Sequence, residues 1–296
     1  MEGLSELRRH VSSAVIQTRR MLTGSRAGQF RIMTRGSGSD FDQLREYQPG
    51  DDVRFIDWKS SARGQHLVVR EYRDERSRSI HLLLDCSRSM LFGTGEKRFY
   101  ERGASIAAIV AVMGENAGDA VALHFMRQNL QTATPLLVGR QQTDRIVREL
   151  LRNAPSCSGD VVQKTAHSFA RLFCKKSLLF LISDFIEPLD VDFMRFLGAR
   201  YSLCCIRVRD KNETAVLDTV RFLPCRESEF SGQDDASLLF LHSEKNVQQA
   251  QCVLKQMRQE QEDLFRHTRV AWFDCFVQDD PVKSVFMGLK KVKVLL

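Results

Sequence analysis

Apolar positions along the chain change period near residue 78, and the change divides the sequence. Before it, Leu4, Leu7, Val11 and Val15 recur at helical spacing and predict an amphipathic helix over residues 4–22. The stretch "TRGSGSDFDQLREYQPGDDVRFIDWKSSARG" (34–64) is dense in Gly, Asp, Ser and Arg with aromatic residues spread between, a pattern of short strands joined by turns, as at Pro49-Gly50-Asp51. "HLVVREY" (66–72) reads as a further strand. After residue 78, short apolar runs alternate with helical patterns. Strands are predicted at 79–85, 119–126, 177–183, 202–208 and 269–277, with a weaker one at 132–138 that Pro135 assigns to an edge. Helices are predicted at 95–116, 141–153, 160–175, 190–199, 244–267 and 281–292, and a hairpin over 219–243.

Alternation of strand and helix implies parallel crossovers, hence a doubly wound, mostly parallel α/β sheet. The domain division follows: an N-terminal helix and β-rich segment over 1–77, and an α/β domain over 78–296 with the hairpin inserted. Such sheets bind ligands beyond the carboxyl ends of their strands. Asp85 and Asp184 both stand there, each ending a strongly apolar strand.

The first of these strands runs into "LLLDCSRSM" (82–90), where Asp85, Ser87 and Ser89 are spaced two apart. Asp and Ser in that setting serve as turn or helix-cap residues. They equally form a set of hard oxygen ligands for a divalent cation. Two acids and neutral hydroxyls do no more than neutralise such a dication and leave part of its coordination shell to water, where a partner's carboxylate would complete it.

Composition narrows the alternatives. The chain has 296 residues, 43% hydrophobic, and no apolar run near the ~20 residues that span a bilayer. Its charged N-terminus lacks a signal core, so a cytoplasmic, unprocessed protein is expected. Eight cysteines without a C-x-x-C pair argue for buried thiols rather than zinc or redox chemistry. The net charge of +7 is spread among acids, as in "VREYRDERSR", without the basic-aromatic stripe of a nucleic-acid surface. "GTGEK" (93–97) lacks phosphate-loop spacing, and Ser89 is not in a nucleophile elbow. His81 and His124 fall inside strands and are read as structural.

"LLLDCSRSM" and "LFLISDF" resemble the metal-ion-dependent adhesion site of von Willebrand factor A domains. The stretch "GSGSDFDQLREYQPGDDVRFIDWKSSARGQHLVVREY" (36–72) resembles the bacterial family named domain of unknown function 58, whose members carry an A-like domain. The resemblance spans about residues 25–290. It implies direct ligation of Mg²⁺, or of Mn²⁺ or Ca²⁺, by Ser87 and Ser89, with Asp85 and Asp184 binding through waters or directly. It implies a non-enzymatic interaction module, an adaptor or co-chaperone for a MoxR-type AAA+ ATPase or its clients. A-domains add a threonine from a third loop. The matching stretch here is "CSGDVV" (157–162), with Gly159 at the threonine position and Ser158 one residue earlier; Ser156, Thr143 and Thr165 are lesser candidates.

Two alternatives remain open at this level. One is a metal-free scaffold acting through 36–72, where Asp51, Asp52, Arg54, Asp57 and Arg63 form either a docking surface or, as preferred, a buried ion-pair and turn network anchored by Trp58. The other is a metal-assisted hydrolase with Glu187 as general base.

Overall fold

The computed structural model describes residues 2–23, 35–48, 56–62, 66–73, 78–93, 98–127, 129–153, 177–186, 189–211, 222–224, 238–240 and 244–292. They fall into two compact units, residues 25–78 and residues 1–24 with 79–296.

The smaller unit is built on an antiparallel pair, β1 (Arg35–Glu46) and β2 (Val68–Arg73), with register shifts near Asp40 and Phe41. Ile56 bridges Val69. A single-turn helix, α2 (Trp58–Ser61), follows Asp57, whose carboxylate accepts from Lys59 N and Ser60 N at 3.0 and 3.1 Å. That is ordinary N-cap chemistry.

The larger unit holds a six-stranded sheet. In chain order its strands are β3 (Ser79–Asp85), β4 (Ala120–Met126), β5 (Leu130–Thr132), β6 (Leu178–Ser183), β7 (Ser202–Arg209) and β10 (Ala271–Phe276). They lie in the order β10-β7-β6-β3-β4-β5, parallel except for the β4–β5 pair. A separate antiparallel pair joins β8 (Phe222–Pro224) to β9 (Leu238–Phe240), within the predicted hairpin. Strands β3 and β6 are buried along nearly their whole length, which is why they read as continuous apolar runs rather than alternating ones. The predicted strand at 132–138 is shorter and lies earlier. Beyond Thr132, Ala133 N and Thr134 N both donate to Leu123 O, and Leu137 forms an isolated bridge to Val121. Pro135 lacks the N–H a continuous ladder needs.

Helices cover both faces. On one, α3 (Phe99–Ala117) presses Gly103 against Leu84, Met90 and Ile182, and Gly114 against Ile80 and Val121. On the other, Leu83, Leu179, Leu181, Leu203 and Cys205 pack with Phe193, Met194 and Leu197 of α5 (Val191–Arg200) and Phe265 of α6 (Glu244–Thr268). Helix α4 (Arg140–Arg152) packs on α3 and β4. Helix α7 (Pro281–Lys291), capped by Asp280, packs on β10.

Helix α1 (Glu2–Thr23) groups with this α/β unit, whereas the sequence division at 77/78 groups it with the β-rich segment. It buries Leu7, Val11, Ala14, Val15 and Leu22. Arg19 reaches Glu115 of α3 at 3.2 Å and Asp144 of α4 at 3.5 Å. An apolar stripe demands a partner surface without specifying which one.

At α7, a Cβ on Gly288 would overlap the ring of Phe273. Gly288→Ala should therefore lower stability by about 1–3 kcal/mol, despite alanine's better helix propensity. A thermal midpoint equal to wild type would show that the ring can yield.

Candidate functional site

The chain runs from β3 outward to β4 and β5, then returns to the other side of β3 as β6. Strand order therefore reverses between β3 and β6. In an open α/β sheet this switch point leaves a crevice outside the carboxyl ends. Asp85 ends β3, and Asp184 follows β6 directly.

Both carboxylates are almost fully buried, Asp85 at 2% and Asp184 at 1% exposure. Asp85 Oδ1 accepts from Ser87 N at 2.7 Å, and its Oδ2 accepts from Ser183 Oγ at 2.6 Å. Asp184 Oδ1 accepts from Ile186 N at 3.1 Å. Ser87 is buried and N-caps a 3₁₀ turn, Arg88–Leu91. Its Oγ lies 2.8 Å from Ser89 Oγ, which is half-buried and the more exposed of the two. Burial pushes the Asp85 carboxyl up to about 7, and the nearby Asp184 charge pushes the same way, against the hydrogen bonds from Ser183 and Ser87.

The loop after β6 is held from outside. Phe185 has a left-handed backbone, φ 53°, which costs a non-glycine residue about 1–2 kcal/mol. Its N–H donates to Ser183 Oγ, and its ring meets Phe265 edge-on at 5.5 Å. From α6, Arg258 Nη1 donates to Asp184 O at 2.7 Å and Gln261 Nε2 donates to Phe185 O.

The structure thus brings together four of the predicted ligands: Asp85, Ser87, Ser89 and Asp184. Ser158, Gly159, Ser156, Thr165 and Glu187 lie outside the described residues, as do Asp51, Asp52, Arg54 and Arg63. Thr143 sits buried in the first turn of α4. Asp57, the remaining member of the 51–63 group, is the buried N-cap of α2. Ser183 is the participant that sequence reasoning missed. Its only mark in the sequence is its place one residue before Asp184; the pairing of β6 with β3 is what brings it to Asp85.

Among the described residues, no group of three or more His, Cys, Asp or Glu side chains could hold a metal. The donor set here is instead two carboxylates and three hydroxyls. All are hard oxygens, of the kind that suits Mg²⁺, Mn²⁺ or Ca²⁺. Octahedral Mg²⁺ with ligands at about 2.0–2.1 Å places neighbouring oxygens about 2.9 Å apart. The Ser87–Ser89 spacing of 2.8 Å fits that edge, and two buried acids supply the charge.

The profile of a family described as "Protein of unknown function DUF58" matches residues 43–222. The chain belongs to this family. An uncharacterized protein of Mycobacterium tuberculosis is 27% identical over 208 residues, 69% of this chain and 65% of that protein. The DUF58 chain therefore spans just under two thirds of that relative's length. Among solved structures, an aerotolerance-related membrane protein from Bacteroides fragilis matches 72% of this chain and 98% of its own, at 12% identity and a TM-score of 0.47. A von Willebrand factor type A protein from Catenulispora acidiphila matches 76% of this chain and 43% of its own, at 12% identity and a TM-score of 0.41. Among the described residues, no helix is long and apolar enough to cross a membrane.

Proposed function

We propose that this DUF58 protein is a metal-dependent protein–protein interaction module. Asp85, Ser87, Ser89 and Asp184 would hold a divalent cation, with Mg²⁺ the natural choice. The observation that carries the reading is the pair of serine hydroxyls 2.8 Å apart beside two buried carboxylates at the sheet's switch point. A bound Mg²⁺ would supply a positive, oxygen-seeking centre able to take a carboxylate from another protein. Asp85 is oriented for this by Ser183 and the Ser87 N–H, which fix its two oxygens. Ser89, the more exposed hydroxyl, marks the side from which a partner's acidic residue would enter. By the family resemblance, that partner is a MoxR-type AAA+ ATPase or one of its clients.

Mn²⁺ titration followed by electron paramagnetic resonance tests the site. One Mn²⁺ site is expected in wild type, displaced by Mg²⁺ and lost in Asp85→Ala with the fold retained. Wild type without a site would defeat the metal reading. Partner capture that survives chelator would shift the contact to the 36–72 segment, and phosphoester turnover abolished with Asp85 would favour a hydrolase.

A further inference from the structure

We infer that helix α6 controls the candidate metal site, with Gln261 and Arg258 as positioning residues that hold the Asp184 loop. The inference rests on the metal reading of that site for its ligand, but the clamp itself is visible without one.

Gln261 is 8% exposed, and every polar atom of its amide is engaged. Its Oε1 accepts from Arg207 Nη1 and from Arg258 Nη1, both at 3.1 Å. Two guanidinium donors on one side fix which end of the amide is oxygen. The Nε2 group is thereby turned to the loop, where it donates to Phe185 O. Arg258 donates to the preceding carbonyl, that of Asp184. Consecutive carbonyls of a left-handed turn are thus tied to two residues three apart on one helix. The Phe185 ring, 1% exposed, is sealed against Phe265 one turn further along the same helix. Arg207 in turn grips Asp274 of the edge strand β10 at 2.6 Å. Gln261 therefore stands at the junction of helix, sheet and loop. These ties from α6 add to the bonds the loop makes within itself, from Ile186 N to Asp184 Oδ1 and from Phe185 N to Ser183 Oγ, and they hold the left-handed backbone at Phe185 that a phenylalanine disfavours. A partner that tilts or shifts α6 would loosen the site, and filling the site would tighten α6, because such coupling is reciprocal.

The test uses the full chain with Gln261→Glu and Arg258→Met. The glutamate keeps both contacts to the arginines but cannot donate to Phe185 O when ionised. Amide exchange at Phe185 and Ile186 should rise about tenfold in Gln261→Glu, the loss expected for one buried hydrogen bond, while the urea midpoint stays near wild type. Mn²⁺ affinity should fall by a similar factor in both variants. Exchange unchanged at those two amides overturns the clamp. Wild-type Mn²⁺ affinity in both variants overturns the coupling. A wild type that binds no Mn²⁺ overturns the metal reading alone, and amide exchange then decides the clamp.

Discussion

Arg207→Ala should cost the α/β unit about 3–5 kcal/mol, the usual penalty for removing one partner of a buried ion pair. Arg207 is fully buried on β7. Its Nε and Nη2 meet the two oxygens of Asp274 at 2.6 and 3.1 Å, and Nη2 also reaches Glu262 Oε1 at 3.1 Å. Nη1 serves Gln261, and the guanidinium lies 5.0 Å from the ring centre of Trp272. A planar fork with five donors fits this arrangement, and a lysine ammonium does not. Truncation leaves a cavity and leaves Asp274 to its second ion pair, with Arg209 at 3.1 Å. Arg207→Met, which keeps most of the volume, separates the two costs. Arg207→Met combined with Asp274→Leu should recover part of the loss, because it removes the stranded charge as well. Urea unfolding gives the numbers. A loss below about 1 kcal/mol for the alanine variant would mean that water replaces the guanidinium, and that the buried network is not structural.

Acid should destabilise the protein through a second buried pair. His81 Nδ1 lies 3.1 Å from His124 Nε2, and His124 Nδ1 lies 3.1 Å from Thr132 Oγ1. One ring must donate to the other, so the pair holds as neutral imidazoles. Burial drives His81 down to about 4 and His124 to about 3, the latter helped by repulsion from His81. Both folded values lie below the unfolded one, near 6.5. The stabilisation is therefore complete above pH 6.5 and is lost as pH falls toward 4, because the unfolded chain takes up protons that the folded chain refuses. By pH 4.5 each histidine contributes a loss of about 2–3 kcal/mol. Asp85 works in the opposite sense. Its carboxyl is raised to about 7, so falling pH relieves its buried charge in the metal-free protein. Comparing wild type with His81→Leu/His124→Leu cancels that contribution, since Asp85 is common to both. The double variant should show a flatter stability profile between pH 7.5 and 4.5. Parallel profiles would count against the pair as the source of acid sensitivity.

Much of the sheet was legible in the sequence. Runs such as "HLLLD" and "LLFLIS" are apolar without alternation because each strand is covered on both faces. That single pattern placed β3 and β6, and with them Asp85 and Asp184 at the carboxyl ends. Ser87 and Ser89 were legible for a local reason: a tight turn after a strand converges side chains two apart, and the hydroxyls meet at 2.8 Å. Edges were less legible. β5 was expected over 132–138 and lies at Leu130–Thr132, because a three-residue edge strand carries too few positions to show a period. The destination of α1 was also hidden, since its stripe fits any apolar surface.

Sequence alone determined the α/β class, the two strand-ending acids and the hydroxyls beside one of them. Each depends on contacts within a few residues or on burial of a whole segment, and both leave a periodic mark. Tertiary structure alone decided that β6 lies beside β3, so that Ser183 donates to Asp85 across a sequence distance of 98 residues. It alone decided that Arg207, Gln261 and Arg258 meet behind the Asp184 loop. A buried arginine in "CCIRV" and a glutamine on a polar helix carry no sign of each other. Their pairing comes from the crossover that lays α6 over β7, and the cost of burying unpaired charge is settled only after the chain has closed.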